Sequence, residues 1–180
     1  VVLASASFRR LDILQENGFE VDVVDPGIEE ERSGRPERMV VDNAGRKAHS
    51  VAKRNKSGVI LGADTLVVSS GNVLGKPADE TDAERMLRAQ LGSVQEVLSG
   101  VFVLFPDKER FACGYERSKV RLKLCGKMDD YLDSGQWRGK AGGFGIQDGG
   151  PVSAELLMGN EDNVIGLPMG LLSRLLGVLS

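Results

Sequence analysis

Val59-Ile60-Leu61-Gly62-Ala63-Asp64-Thr65-Leu66-Val67-Val68 is an apolar run with a single carboxylate set in its middle. Its length and β-branched content predict a buried strand. Ser70-Gly71-Asn72 then predicts a turn that brings the chain back as Val73-Leu74. A carboxylate is rarely buried without a partner, so Asp64 either ends the strand at a cleft or holds a cation. The bland alternative is a strand-edge Asp capping a turn. The apolar run resumes at Leu66 and no turn is signalled at Asp64, which favours a functional role.

On the N-terminal side, Val1 to Leu3 reads as a strand and Ala4 to Ser7 as a tight loop. A helix follows, carrying Leu11, Ile13 and Leu14, with Ser7 as N-cap and Gly18 as its end. Phe19, Val21 and Val23 alternate with Glu20 and Asp22, predicting a half-buried strand, and Asp25 to Pro36 reads as a mobile polar loop. The helix predicted from Glu37 to Arg54 has Val40, Ala44, Ala48 and Val51 as its apolar stripe, with Lys47 beside it. On the C-terminal side, Thr81 and Glu84 suggest a capping box for a helix ending near Gly92. Long strands are expected over Val94–Phe105 and Phe111–Leu124, turned around Pro106-Asp107. A short helix over Met128–Ser134 stops at Gly135, a glycine-rich stretch runs from Lys140 to Pro151, and a strand (Val152–Leu157) and a helix (Leu167–Leu179) close the chain. Helices and strands alternate early and strands cluster late, the pattern of an α/β fold with a mixed sheet.

The length of 180 residues suits one domain, or two intimately joined lobes. With 41% hydrophobic and 27% charged residues the chain has material for a core without disulfides. A net charge of −3 argues against a nucleic-acid scaffold, which needs an excess of Lys and Arg. The most apolar segment, Leu167 to Leu179, is interrupted by Arg174 and too short for a membrane span, and no signal peptide is visible. Cys113 and Cys125 fit no zinc or redox spacing and read as reduced thiols, hence a cytoplasmic setting. His49, the one histidine, reads as a surface helix residue, and a Ser–His–Asp triad elsewhere is excluded.

Four further stretches could carry chemistry. Ser5-Ala6-Ser7-Phe8-Arg9-Arg10 places two arginines at a helix N-terminus, where backbone N–H groups attract anions but the macrodipole disfavours cations. That conflict suggests an anion site, against the equal alternative of two solvated arginines. Gly75-Lys76-Pro77 fails as a P-loop because proline follows the lysine, yet Lys76 could meet a phosphate as a point charge. Lys140-Ala141-Gly142-Gly143-Phe144-Gly145-Ile146-Gln147 fails as a dinucleotide fingerprint, since Asp148 stands at the third glycine position. Its Gln147 offers an amide with both donor and acceptor, as base recognition needs. Glu29-Glu30-Glu31 reads as a solvated acidic run, or as a source of one oxygen ligand to join Asp64 on a hard divalent cation.

Taken in order, these motifs resemble the Maf family of nucleotide pyrophosphatases, which is related to septum-formation inhibitors. The family's opening L-A-S-x-S-P-R-R matches Leu3 to Arg10, its acidic pair ends at Glu30, and its A-x-x-K-A helix motif is Ala44 to Ala48. G-A-D-T is Gly62 to Thr65, G-K-P is Gly75 to Pro77, K-A-G-x-[YF]-G-I-Q is Lys140 to Gln147, and N-V-[VI]-G-L-P is Asn163 to Pro168. Three departures stand out: Phe8 for the usual proline, Gln95 for histidine and Ser99 for threonine.

The resemblance implies a Maf/ITPase-like α/β fold, a long mixed sheet with flanking helices and two lobes around a central cleft, forming one domain over residues 1–180. It implies hydrolysis of a nucleoside triphosphate to monophosphate and pyrophosphate, with Mg²⁺ or Mn²⁺ held by Glu30 and Asp64. Arg9, Arg10, Lys47 and Lys76 are the expected phosphate clamp, Asp64 the general base, Ser7 a further phosphate contact and Lys140 a further substrate-binding residue; Thr65 and Gln147 are expected to read the base. Relatives acting on dTTP and UTP resemble this chain at Arg9, Thr65 and Gln147. Relatives acting on 7-methyl-GTP typically carry Trp, Gln and Glu there. The alternatives are a 7-methyl-GTP or broad-specificity enzyme, and a non-catalytic nucleotide-binding regulator of cell division, which the presence of both Glu30 and Asp64 disfavours. The expected partner is the nucleotide, not nucleic acid or membrane, and a homodimer is left open.

Overall fold

The computed structural model describes residues 1–179. The elements are β1 (Val2–Ala4), α1 (Phe8–Glu16), β2 (Asp22–Val23), α2 (Pro36–Ala52), β3 (Ile60–Ser69), β4 (Asn72–Leu74), α3 (Glu80–Gln90), β5 (Val94–Phe105), β6 (Arg110–Leu124), α4 (Met128–Asp133), β7 (Val152–Met158), α5 (Glu161–Ile165) and α6 (Met169–Leu179). The strands form one seven-stranded sheet in the order β2-β1-β3-β5-β6-β7, with β4 paired to β3. β1 runs parallel to β2 and β3, while β3–β4 and β6–β7 are antiparallel, so the fold is α/β with a mixed sheet. No described helix is long and apolar enough to cross a membrane.

Most elements follow from local chemistry. Pro36 opens α2 at its first turn, where the missing N–H costs nothing. Ser70 and Gly71 both have positive φ, as the two-residue hairpin between β3 and β4 requires. Val40, Ala44, Ala48 and Val51 are fully buried, as their helical spacing predicts. His49 is an exposed helix residue, its ring edge-on to Phe102.

Four local expectations are corrected. The strand expected over Phe19–Val23 shrinks to Asp22–Val23, both exposed, because it lies at the sheet edge and has little to pack against. Ser7 occupies the N-cap position of α1 but its side chain makes no capping bond. Helix α3 is capped by Asp79, whose Oδ1 accepts from the Asp82 N–H at 2.8 Å; Thr81 and Glu84 lie inside the helix. The closing helix starts at Met169, and the preceding motif begins inside the separate short α5.

By its internal contacts the chain falls into two compact units. The first comprises 1–65, 99–116 and 166–180; the second comprises 66–98 and 117–165, so β3, β5 and β6 each contribute to both. A core cluster of the first unit joins Ala4, Ala44, Ala48, Val51, Ile60, Phe102 and Leu104. The second packs Leu87, Val97, Val120, Leu122, Tyr131 and Phe144 around Trp137, whose Nε1–H donates to the Leu132 carbonyl at 3.0 Å. Burying each valine or leucine of this size contributes roughly 1.5–3 kcal/mol.

Candidate active site

In the first unit, α2 lies directly on the backbone of β3 and β5. A Cβ on Gly62 would stand 2.0 Å from the Ala44 carbonyl oxygen, and one on Gly100 would stand 2.3 Å from that of Val40. Only glycine permits this approach. It brings Asn43 and Lys47, one turn apart on the same helix face, down onto Asp64 in the middle of β3.

Asp64 is 2% exposed and the strand runs on through it, so it neither ends the strand nor caps a turn. Its Oδ1 accepts from Lys47 Nζ at 2.7 Å and its Oδ2 from Asn43 Nδ2 at 2.9 Å. Lys47 Nζ also donates to Glu30 Oε1 at 2.7 Å and to the Ala63 carbonyl at 3.4 Å. The ammonium is thus gripped by two carboxylates and a carbonyl in a nearly dry setting. Such buried charges are tolerable only when fully paired.

Asn43 extends this cluster to the acidic loop. Its Oδ1 accepts from the Glu31 N–H at 2.8 Å and its Nδ2 also reaches the Glu31 carbonyl at 3.0 Å. One side chain therefore anchors the loop that carries Glu30 and orients Asp64.

Arg10 forms the second half of the cluster. Its Nε donates to the Gly166 carbonyl at 2.9 Å, Nη1 to Ser5 Oγ at 2.9 Å and Nη2 to Thr65 Oγ1 at 3.0 Å. Burial pushes its pKa below the usual arginine value, while Asp64 and Glu30 pull it back up and Arg9 lowers it. Thr65 Oγ1 also lies 2.9 Å from Ser99 Oγ, so the departure at Ser99 falls inside this network and still offers the hydroxyl that the bond uses. Ser5 Oγ accepts from Arg10 and from the Ser7 N–H at 3.2 Å. Ser5 is thus the serine that organises the loop before α1.

The first unit therefore holds Ser7, Arg9, Arg10, Glu30, Lys47, Asp64 and Thr65 of the expected residues; Lys76, Lys140 and Gln147 belong to the second. There the Gly142 N–H donates to the Gly75 carbonyl at 2.9 Å, which ties the glycine-rich stretch to the Gly-Lys-Pro segment. Gly142 and Gly143 have φ of +70° and +77°, open to glycine at little cost. Gln90, wholly buried in α3, donates to the Gly142 carbonyl at 2.7 Å. Asp148 is the hub of the loop: it pairs with Lys140 Nζ, and its Oδ2 accepts from Tyr131 OH at 2.7 Å and the Gly145 N–H at 2.8 Å. Lys140 is therefore engaged within the loop, whereas Lys76 and Gln147 are exposed. Gln95, the other departure, is buried and donates to the Gln90 carbonyl and Ser93 Oγ, a structural use of its amide.

Sequence reasoning missed Ser5, Asn43, Gln90, Tyr131 and Asp148. Asn43 had a signal: it lies four residues before Lys47, beside the apolar stripe, where a poor helix former needs a reason.

The α/β sheet thus carries a carboxylate–cation cluster of Asp64, Glu30 and Lys47 that acts electrostatically on Arg10 of α1. The chain matches the family described as Maf-like protein over residues 1–179, and it belongs to the Maf family. A dTTP/UTP pyrophosphatase of Dictyoglomus thermophilum is 38% identical over 99% of this chain and 95% of its own length. Proteins of the same description from Elusimicrobium minutum and Deinococcus radiodurans are 34% and 37% identical, each over 98% of this chain and over 96% and 91% of their own lengths. Among solved structures, a HAM1 protein from Coxiella burnetii aligns with a TM-score of 0.49 and 18% identity over 70% of this chain and 75% of that one.

Proposed function

We propose that this chain is a nucleoside-triphosphate pyrophosphatase acting on dTTP and UTP, working in the cytoplasm. The observation that carries the reading is the buried grip of Asp64 and Glu30 on Lys47, each at 2.7 Å, next to Arg10. Asp64 accepts a proton from the attacking water as its oxygen bonds to the α-phosphorus. The bond from that phosphorus to the α–β bridging oxygen breaks, and pyrophosphate leaves with the electron pair. Arg9, Arg10, Lys47 and Lys76 neutralise the charge that develops on the phosphate oxygens. Arg10, with its fork committed to Ser5, Thr65 and Gly166, acts as a fixed charge. Ser7 presents its hydroxyl to phosphate, Thr65 and Gln147 read the base, and Lys140 acts through the loop it holds with Asp148.

A divalent cation fits the donor set. Glu30 and Asp64 supply hard oxygens that already converge on one cationic centre, the Lys47 ammonium. Among the described residues no group of three or more His, Cys, Asp or Glu side chains could hold a metal. The ion would be Mg²⁺ or Mn²⁺ held by these two carboxylates together with substrate phosphate and water, as Mg²⁺ commonly is. Bound there, it would neutralise charge on the phosphate oxygens.

The test is pyrophosphate release from dTTP, UTP, GTP and 7-methyl-GTP by the parent and by Asp64→Asn. The parent should prefer the two pyrimidines, and Asp64→Asn should lose at least about a hundredfold in turnover. It should also lose stability, since Lys47 keeps only one carboxylate. Pyrimidine turnover retained by Asp64→Asn would assign Asp64 a structural role. A preference for 7-methyl-GTP would move the chain to the other subgroup, and nucleotide binding without release would make it a regulator.

A further inference from the structure

In the sheet, β6 lies between β5 and β7, but β7 pairs with it only over Lys119–Leu124. Along Arg110–Glu116, within the first unit, one edge of β6 therefore carries no strand among the described residues. A sheet edge without a neighbouring strand is a template for another strand. One face of this segment bears Phe111, 57% exposed, Cys113 and Tyr115, 43% exposed. Phe111 stacks on Phe102 with ring centroids 5.0 Å apart. Beside it lies a groove of about 590 Å³ whose lining includes Asp42, Arg46, His49, Phe102, Phe111 and Cys113. The other face packs on α6: Gly114 leaves room for Leu171, Arg110 Nη2 donates to the Val178 carbonyl and Arg174 pairs with Glu116.

The segment Arg110-Phe111-Ala112-Cys113-Gly114-Tyr115-Glu116 is complementary to its own reverse. Run antiparallel to itself about Cys113, it sets Arg110 against Glu116, Phe111 against Tyr115, Ala112 against Gly114 and Cys113 against itself. Opposite charges, facing aromatics and two small residues are the pairs that stabilise neighbouring strands. A two-fold axis normal to the sheet keeps each side chain on its own face, so the adjacent registers centre on Ala112 or Gly114. The first puts Arg110 against Gly114 and Glu109 against Tyr115; the second puts Phe111 against Arg117. Opposite charges meet there only through Lys108, which lies outside β6, or Lys119, which already faces β7.

We propose that two copies of this chain join their sheets through antiparallel β6–β6 pairing over Arg110–Glu116, centred on Cys113. The aromatic face supplies the apolar contact, with Tyr115 of the second copy settling over Phe111 at the mouth of the groove. The charged face supplies register through Arg110 and Glu116, the latter already oriented by Arg174. Symmetric closure consumes both edges and stops further growth.

The test uses the full chain carrying Cys125→Ser. Diamide takes one hydrogen from each of two thiols and leaves a disulfide; burial and the Asp42 carboxylate raise the Cys113 thiol pKa, so the reaction is run at alkaline pH. A covalent dimer should form through Cys113 and be lost in Cys113→Ser. A cysteine moved to Tyr115 in the Cys113→Ser background should not self-couple, since the two copies of that position stand about 13 Å apart along the strands. It should couple when mixed with the matching Phe111→Cys chain. Light scattering should give twice 19.3 kDa for the parent and 19.3 kDa for Tyr115→Lys, with dTTP hydrolysis per chain unchanged. A monomeric parent at micromolar concentration overturns the proposal, and so does a dimer in which the Tyr115 cysteine self-couples as fast as Cys113.

Discussion

Asn43 divides one amide between Asp64 and the loop that carries Glu30. Asn43→Ala should therefore lower activity and stability together. A lost hydrogen bond to a charged group costs about 1.5–3 kcal/mol, to be read as a shifted urea midpoint and a fall in kcat/KM for UTP. Unchanged values of both would mean the loop and Asp64 hold their places without it. Gln147→Glu should act on selectivity instead. A carboxylate loses the amide donor and repels the carbonyl oxygens of uracil and thymine. A base hydrogen bond of about 1–3 kcal/mol corresponds to roughly a tenfold to hundredfold loss of kcat/KM with UTP, smaller or reversed with 7-methyl-GTP. An unchanged ratio between the two substrates would remove Gln147 from base reading. At this scale the sequence flags residues that break a local pattern: Asp64 inside an apolar run, Lys47 beside a buried stripe, arginines at a helix start. It is silent on Ser5, Tyr131 and Asp148, whose roles depend on partners far along the chain or across a turn that only the folded backbone defines.

The decisive element is α2, and what decides its place is the absence of two side chains on the strands beneath it. Gly62→Ala would drive a Cβ to 2.0 Å from a helix carbonyl, and backbone cannot step aside as a flexible side chain can. The cost should be on the order of 3 kcal/mol, at or beyond the upper range for overpacking, with turnover falling because Lys47 and Asp64 lose their spacing. Gly177→Ala, in α6 with nothing within 4 Å of the new methyl, should instead stabilise by about 0.5–1 kcal/mol. Thermal midpoints compare the pair; equal shifts would show that the close approach is not what Gly62 is for. Periodicity located α2, β3, β5 and β6 because long elements repeat their signal. It failed at β2, two residues on a sheet edge, and at the start of α3, where Asp79 and Thr81 are both acceptable caps by composition. Only backbone geometry chooses between them: Asp79 is extended, with its carboxylate on the Asp82 N–H.

At the scale of the molecule, we expect the two compact units to unfold as a single domain, since three strands are covalently common to both. The chain contains one tryptophan, Trp137, which is 5% exposed in the core of the second unit. Indole emission therefore watches only that unit, while the far-ultraviolet helix signal is shared: α1, α2 and α6 lie in the first, and α3, α4 and α5 in the second. A cooperative domain gives coincident transitions by both probes. Gly62→Ala, which strikes the first unit, should then move the emission midpoint as far as the ellipticity midpoint. If helix signal disappears while emission holds, the units melt separately and the single-domain reading falls. Trp137 thus makes one half of the chain luminous and leaves the half with the Asp64 cluster dark. Quenching of that emission by a nucleotide would report binding events felt by the glycine-rich unit alone.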